Sequence, residues 1–126
     1  MGVQWNLLPQ NIRTALETMF IKQSMKLNHI HLSAWLVGCL KLKYRWFEND
    51  NSDVKNKFYD QVINIYGQEV IKPEAARGLA NVIHGIAKTG MTKQQIRPAV
   101  IHVLLKALNE CGGNFNQQEL SNCIYG

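Results

Sequence analysis

No stretch of this chain offers the roughly 20 consecutive apolar residues that a membrane-spanning helix needs. Its start, MGVQWNLLPQNIR, lacks the basic-then-apolar order of a secretory signal. Asn6 stands where a myristoylation motif would place Ser or Thr. The expectation is a protein with no membrane attachment. Cysteine is scarce: Cys39, Cys111 and Cys123 are odd in number and form no CxxC pair. That argues against a disulfide framework and for a reducing, cytoplasmic compartment. Also missing are a nucleophile elbow, a glycine-rich phosphate loop and HExxH. The nine acidic residues are scattered. His29 and His31 have no carboxylate or cysteine at a supporting helical spacing. A non-enzymatic chain with no cofactor and no metal follows as the expectation.

What is present is helical periodicity, with no sustained strand-like alternation. At 126 residues the chain can bury a core. Ile12, Ala15, Leu16, Met19 and Phe20 make one apolar stripe on a first helix beginning near Pro9. Leu32, Trp35, Leu36 and Cys39 do the same on a second, which ends near the run KLKYRWF. Ser52 or Asp53 can cap a third, with Val54, Phe58, Val62, Ile65 and Tyr66 inside and Gly67 as its stop. Lys72-Pro73-Glu74 reads as a fourth helix start, with Leu79, Val82, Ile83 and Ile86 inside and Gly90 ending it. Thr92 with Gln95 resembles a capping box for a fifth, whose core would be Val100, Ile101, Leu104, Leu105 and Leu108. Pro98 either kinks that helix or marks its true first turn. Asn116 with Glu119 would open a sixth.

Alternate helices share a template. LSAWLVGCLK (Leu32–Lys41), LANVIHGIAK (Leu79–Lys88) and LSNCIYG (Leu120–Gly126) each read Leu, Ser or Ala, two variable positions, Leu or Ile, one variable position, Gly. The two longer copies add Lys three residues later, and the copies begin 47 and 41 residues apart. Leu16, Ile63 and Leu104 each lie 16 residues before a template leucine, on the plainer helices. The pattern predicts an all-α fold of about six helices, an α-solenoid of the HEAT or armadillo kind built from stacked antiparallel hairpins. Repeat 1 spans about 9–47, repeat 2 about 52–90 and a partial repeat 3 about 92–126. Gly38, Gly85 and Gly126 would let a neighbouring helix approach closely, offsetting the roughly 1 kcal/mol that a helical glycine costs. Because the sequence halts at a template glycine, the chain is expected to be a fragment of a longer array, or to self-associate through its open C-terminal repeat.

GLANVIHGIAKTG and FNQQELSNCIYG resemble the second helix of octotricopeptide repeats and of the related repeats in FAST-kinase-type and RAP-domain proteins. They are also similar to SKWP-type tandem helical repeats of bacterial effectors. The resemblance implies an α-solenoid that recognises macromolecules without catalysis. The ligand would be single-stranded RNA in the first group, and host proteins in the second, with translocation into a host cell. The uneven repeat lengths depart from a regular one-base-per-repeat code.

Eight residues are candidate ligand contacts. Lys41, Lys43, Arg45 and Lys88 are cations that stacking would align along one edge, a track for phosphates. Tyr44, Trp46 and Phe47 beside them would suit unstacked bases. Helix-dipole complementation and core packing would equally place these residues there. His84 and Tyr125 occupy the variable template position, alongside Val37. Asn81 and Asn122 could offer amides to a base edge or peptide backbone, or tie one repeat to the next. The net charge of +5 permits a phosphate-bearing partner without requiring one. Cys39 and Cys123 fall at core positions, and Cys111 beside Gly112-Gly113 is expected to be the exposed thiol.

Overall fold

Each helix start carries its own local reason. In a computed structural model of the chain, which describes residues 3–49 and 52–111, Pro9 precedes α1 (Gln10–Gln23). Asn28 caps α2 (His29–Leu42) in a reciprocal box: its side chain accepts the His31 N–H at 3.0 Å, and His31 Nδ1 accepts the Asn28 N–H at 3.3 Å. That box answers for His31. Ser52 caps α3 (Asp53–Tyr66) by accepting the Lys55 N–H. Pro73 opens α4 (Pro73–Lys88), where its missing N–H costs nothing, with Glu74 beside the positive end of the helix. Thr92 and Gln95 do form a capping box, but it closes a short 3₁₀ turn, Lys93–Gln95. The fifth helix, α5 (Pro98–Cys111), begins only at Pro98, the true first turn. Five α-helices and no strand are present among the described residues, so the fold is all-α. The sixth helix, with its Asn116–Glu119 cap, and the rest of the partial third repeat lie outside them.

The helices pack by alternation. The most extensive contacts are α2 on α4, then α3 on α5, and α3 also meets α1. Arg97, just before α5, donates to Asp60 at 2.8 Å and Asn56 at 3.2 Å, while Lys106 near its far end reaches the Gln68 carbonyl beyond α3. These pairings make α3 and α5 parallel. Gln61, buried on α3, donates to the Leu27 carbonyl between α1 and α2, and Tyr59 donates to the Gln95 carbonyl at 2.7 Å. Both bonds tie α3 to the turns of adjoining hairpins. Within the second hairpin, the Tyr66 hydroxyl donates to the Ala75 carbonyl at 3.0 Å.

Two kinds of core result. Aliphatic side chains fill the seam between the rows: Leu32, Leu36, Val62, Leu79, Val82 and Val100 are all but inaccessible to water. Where α1, α2 and α3 converge the packing is aromatic. Trp35 stacks on Phe20 with centroids 4.2 Å apart and meets Trp46 at 5.2 Å and Phe58 at 5.4 Å. Such offset contacts contribute about 0.5–1.5 kcal/mol per pair beyond the area they bury.

Two predicted stripes depart from the packing, that of α1 along most of its length and that of α5 at one position. On α1 only Phe20 is buried, while Ile12, Leu16 and Met19 are 44%, 42% and 61% exposed. The inward face instead carries Arg13, Glu17, Phe20 and Ile21, because α3 and the aromatic cluster lie on that side. On α5, Val100 is buried and Leu104 and Leu108 pack against the core as expected, but Leu105 is 56% exposed while Ala107 and Cys111 are buried.

Candidate functional site

The α2–α4 seam fixes where the candidate residues fall. A Cβ on Gly78 would lie 1.9 Å from His29 Cδ2, and one on Gly85 would lie 2.8 Å from Leu36 Cδ1 and 3.3 Å from Leu36 Cβ. Leu40 and Thr89 line one shared cleft. Each pair (29 and 78, 36 and 85, 40 and 89) is 49 positions apart, so the two helices run parallel in constant register. Gly85 therefore admits its neighbour as expected. Gly38 does not: nothing among the described residues lies within 4 Å of where its Cβ would be. Gly126 is outside the described residues. Sequence reasoning passed over Gly78, although two glycines seven residues apart on one helix face are a legible sign of a groove for a neighbouring helix.

Parallel helices bring their C-terminal ends together, and with them the cations. Lys41 and Lys88 occupy the last turns of α2 and α4, both exposed. Lys43 ends α2 in the left-handed region, φ 55°, with its N–H bonded to the Leu40 carbonyl. Lys43 and Arg45 line a cleft of about 190 Å³ with Leu40, Tyr44, Phe47 and Thr89. Arg45 is already engaged: it is ion-paired with Glu48 and lies 4.9 Å above the Phe47 ring. Among the described residues no carboxylate lies within 4.0 Å of the Lys41, Lys43 or Lys88 ammonium groups.

The aromatic residues of this end are not a surface. Trp46 and Phe47 are 2% and 1% exposed, inside the core. Tyr44 is half-buried, stacked on Trp5 at 3.8 Å between centroids, and donates its hydroxyl to Glu17. Burial first, then that hydrogen bond to a carboxylate, pushes the Tyr44 phenol well above the ordinary range. The expected base-stacking trio is thus committed to packing.

The remaining candidates lie elsewhere. Asn81 sits toward the opposite end of the seam, in a cleft of about 380 Å³ with His29, Ser33, Glu74, Arg77 and Gly78. There burial lowers the pKa of His29, with Glu74 opposing the shift. His84 is half-buried in the C-terminal half of α4 and is not without a partner. Asn122 and Tyr125 lie outside the described residues. The eight candidates therefore separate into a basic end of four, one amide at the other end, His84 between, and two not described.

Cys39 is buried and its thiol is pushed up to about 12 by that burial. Cys111, expected to be exposed, is buried against the core, because α5 extends through it. Its thiol too is raised, by burial and then by Glu110. Neither is a ready nucleophile at neutral pH. Among the described residues no three His, Cys, Asp or Glu side chains gather to hold a metal ion, and no helix is long and apolar enough to cross a membrane. Comparison with family models, with curated proteins and with solved structures found no match.

Proposed function

We propose that this chain is a non-catalytic recognition module, a segment of α-solenoid that holds single-stranded RNA by its phosphates along the basic end of α2 and α4. The two parallel rows, α1–α3–α5 and α2–α4, support the solenoid reading. The observation that carries the ligand is the placement of Lys41, Lys43 and Lys88 at one end of the parallel helices α2 and α4, without carboxylate partners among the described residues. With Trp46 and Phe47 in the core, contact runs through phosphates rather than stacked bases, so binding is tolerant of sequence.

Three neutralised phosphates give a slope of log affinity against log salt of about −2, at roughly −0.7 per phosphate for single strands. Filter binding of a mixed-sequence RNA across a salt series is expected to return that slope. Lys41→Glu with Lys88→Glu is expected to abolish retention at low salt. A wild-type chain that retains no single-stranded RNA at low salt would refute the reading. Titration against candidate proteins tests the second reading, a protein-binding scaffold of the kind effectors use. A groove between α1 and α2 lined by Leu16, Met19, Ala34, Trp35 and Leu42 favours it.

A further inference from the structure

Four aromatic side chains border a groove between α1 and α2. Trp5, on a 3₁₀ turn ahead of α1 (Trp5–Leu7), stacks on Tyr44, and Phe20 of α1 stacks on Trp35 of α2. All four line one space of about 480 Å³. That volume falls within the roughly 300–1,000 Å³ of small-molecule sites, which are built mainly from apolar and aromatic side chains with a few placed polar groups. Gly38 leaves the groove open, since nothing among the described residues lies within 4 Å of where its Cβ would be.

The groove has a sign of charge. Among the described residues Glu17 is the only Asp, Glu, Lys or Arg that lines it. Glu17 is half-buried, and its Oε2 accepts the Tyr44 hydroxyl. No Lys, Arg or His nitrogen lies within 4.0 Å of its carboxylate, and Oε1 accepts no hydrogen bond, among the described residues. Glu17 and Tyr44 also line an adjoining polar cleft, so the carboxylate marks the end where the apolar groove meets polar surroundings. A carboxylate bordered by apolar walls attracts a cation more strongly than one in open water, because the local dielectric is lower. Trp, Tyr and Phe rings draw the same kind of ion, an ammonium group within about 6 Å of the ring centroid. Both attractions select one class of ligand.

We propose that this groove binds a small amphiphilic amine, with its ammonium group on Glu17 and its apolar body among Trp5, Phe20 and Trp35. The carboxylate supplies orientation, and the aromatic walls supply most of the buried area. An apolar acid of the same shape meets Glu17 as a like charge and is rejected. A neutral analogue keeps the area and loses the ion pair. The proposal rests on the α1–α2 groove and not on what the basic end binds.

Three probes of one shape test it: phenylbutylamine, phenylbutanol and phenylbutyrate, titrated calorimetrically into the full chain at neutral pH. The amine is expected to bind with a Kd below about 1 mM, the alcohol about tenfold more weakly, and the acid not at all. Glu17→Gln is expected to erase the preference for the amine over the alcohol, a change that a merely structural role for Glu17 would not produce. Gly38→Leu and Ala34→Leu narrow the groove and are expected to weaken the amine about tenfold each. Thermal melts by circular dichroism verify that each variant is folded, and the three probes on the wild-type chain decide the matter if Glu17→Gln is not. A wild-type chain that binds no amine at about 10 mM would overturn the proposal. So would an alcohol that binds as tightly as the amine, which would make the groove a general apolar surface of the kind a protein partner covers. A folded Glu17→Gln chain that keeps its preference for the amine, or folded Gly38→Leu and Ala34→Leu chains that bind it like wild type, would equally overturn it. Lys41→Glu with Lys88→Glu is expected to leave amine binding unchanged while RNA retention is lost, so the two proposals fail separately.

Discussion

Replacing each of two template glycines with alanine should have opposite effects, and the pair tests how the repeats are held together. Both Gly38 and Gly85 lie inside helices, so each alanine gains about 1 kcal/mol of helix propensity. At Gly38 the new methyl meets nothing among the described residues, so that gain is expected in full. For a domain of this size it raises the melting temperature by about 3–5 °C. At Gly85 the methyl would lie 2.8 Å from Leu36 Cδ1 and 3.3 Å from Leu36 Cβ. Leu36 is 1% exposed and closely surrounded, so it has little room to retreat. Overpacking of this kind costs about 1–3 kcal/mol. Gly85→Ala should therefore be neutral or destabilising by up to about 2 kcal/mol, despite its better propensity. Thermal and urea denaturation at low protein concentration, where association adds nothing, read both effects. Adding Leu36→Val should shrink the Gly85→Ala cost, a coupling that a double-mutant cycle measures directly. A Gly85→Ala chain stabilised as much as Gly38→Ala would refute the knob-and-hole account of the seam.

Three further outcomes are expected. Gln61→Leu strips the donor from the Leu27 carbonyl and should cost about 1–3 kcal/mol in urea denaturation; a loss below 0.5 kcal/mol would mean that water replaces the amide. Alkaline pH should destabilise the fold, because burial pushes the Cys39 thiol and the Tyr59 phenol up to about 12 from ordinary values of 9.0 and 10.0. The unfolded chain then binds fewer protons, so stability is full below pH 9.0 and falls as pH rises toward 12; Cys39→Ala with Tyr59→Phe should flatten that decline in a urea-midpoint series. Acid should act through His29 in the opposite sense: its lowered pKa favours the native state above the ordinary histidine range, a small contribution lost on acidification, and His29→Gln should remove that slope.

Periodicity made the helices legible, and the template made the α2–α4 pairing legible. The facing of α1 was not, nor was the outward turn of Leu105 on α5. The stripe Ile12, Leu16, Met19 and Phe20 shows that α1 has an apolar face, but only the position of α3 decides that Phe20 turns inward while the other three turn out. The same holds for Cys111, whose Gly112-Gly113 neighbours suggest a loop although α5 carries it into the core. The aromatic trio misled for a related reason. Tyr44, Trp46 and Phe47 alternate with cations as a nucleic-acid surface would, yet a chain leaving a helix end can turn its aromatics inward and leave Lys43 and Arg45 in water. Composition gives the ingredients of such a surface, and the turn decides which side of it faces solvent.

The lysines at the basic end admit two roles that separate experimentally. A cation in the last turn of a helix relieves the dipole by about 0.3–1 kcal/mol, and any helix can use one. Lys41 and Lys88 go further, since both are exposed, neither has a carboxylate partner among the described residues, and parallel packing puts both at the same end of the α2–α4 pair. Like charges about 10 Å apart repel by about 0.4 kcal/mol in water, so the pairing gives nothing back to the stack. The seam itself is held by Leu32, Leu36, Leu79 and Gly85, none of which needs a lysine nearby. If relief of the dipole were their whole role, Lys41→Gln with Lys88→Gln would lower stability and leave every affinity alone. If they form a phosphate track, the same pair should lose RNA affinity and most of its salt dependence, with a melting temperature close to wild type. Measuring both quantities on the one variant decides between them.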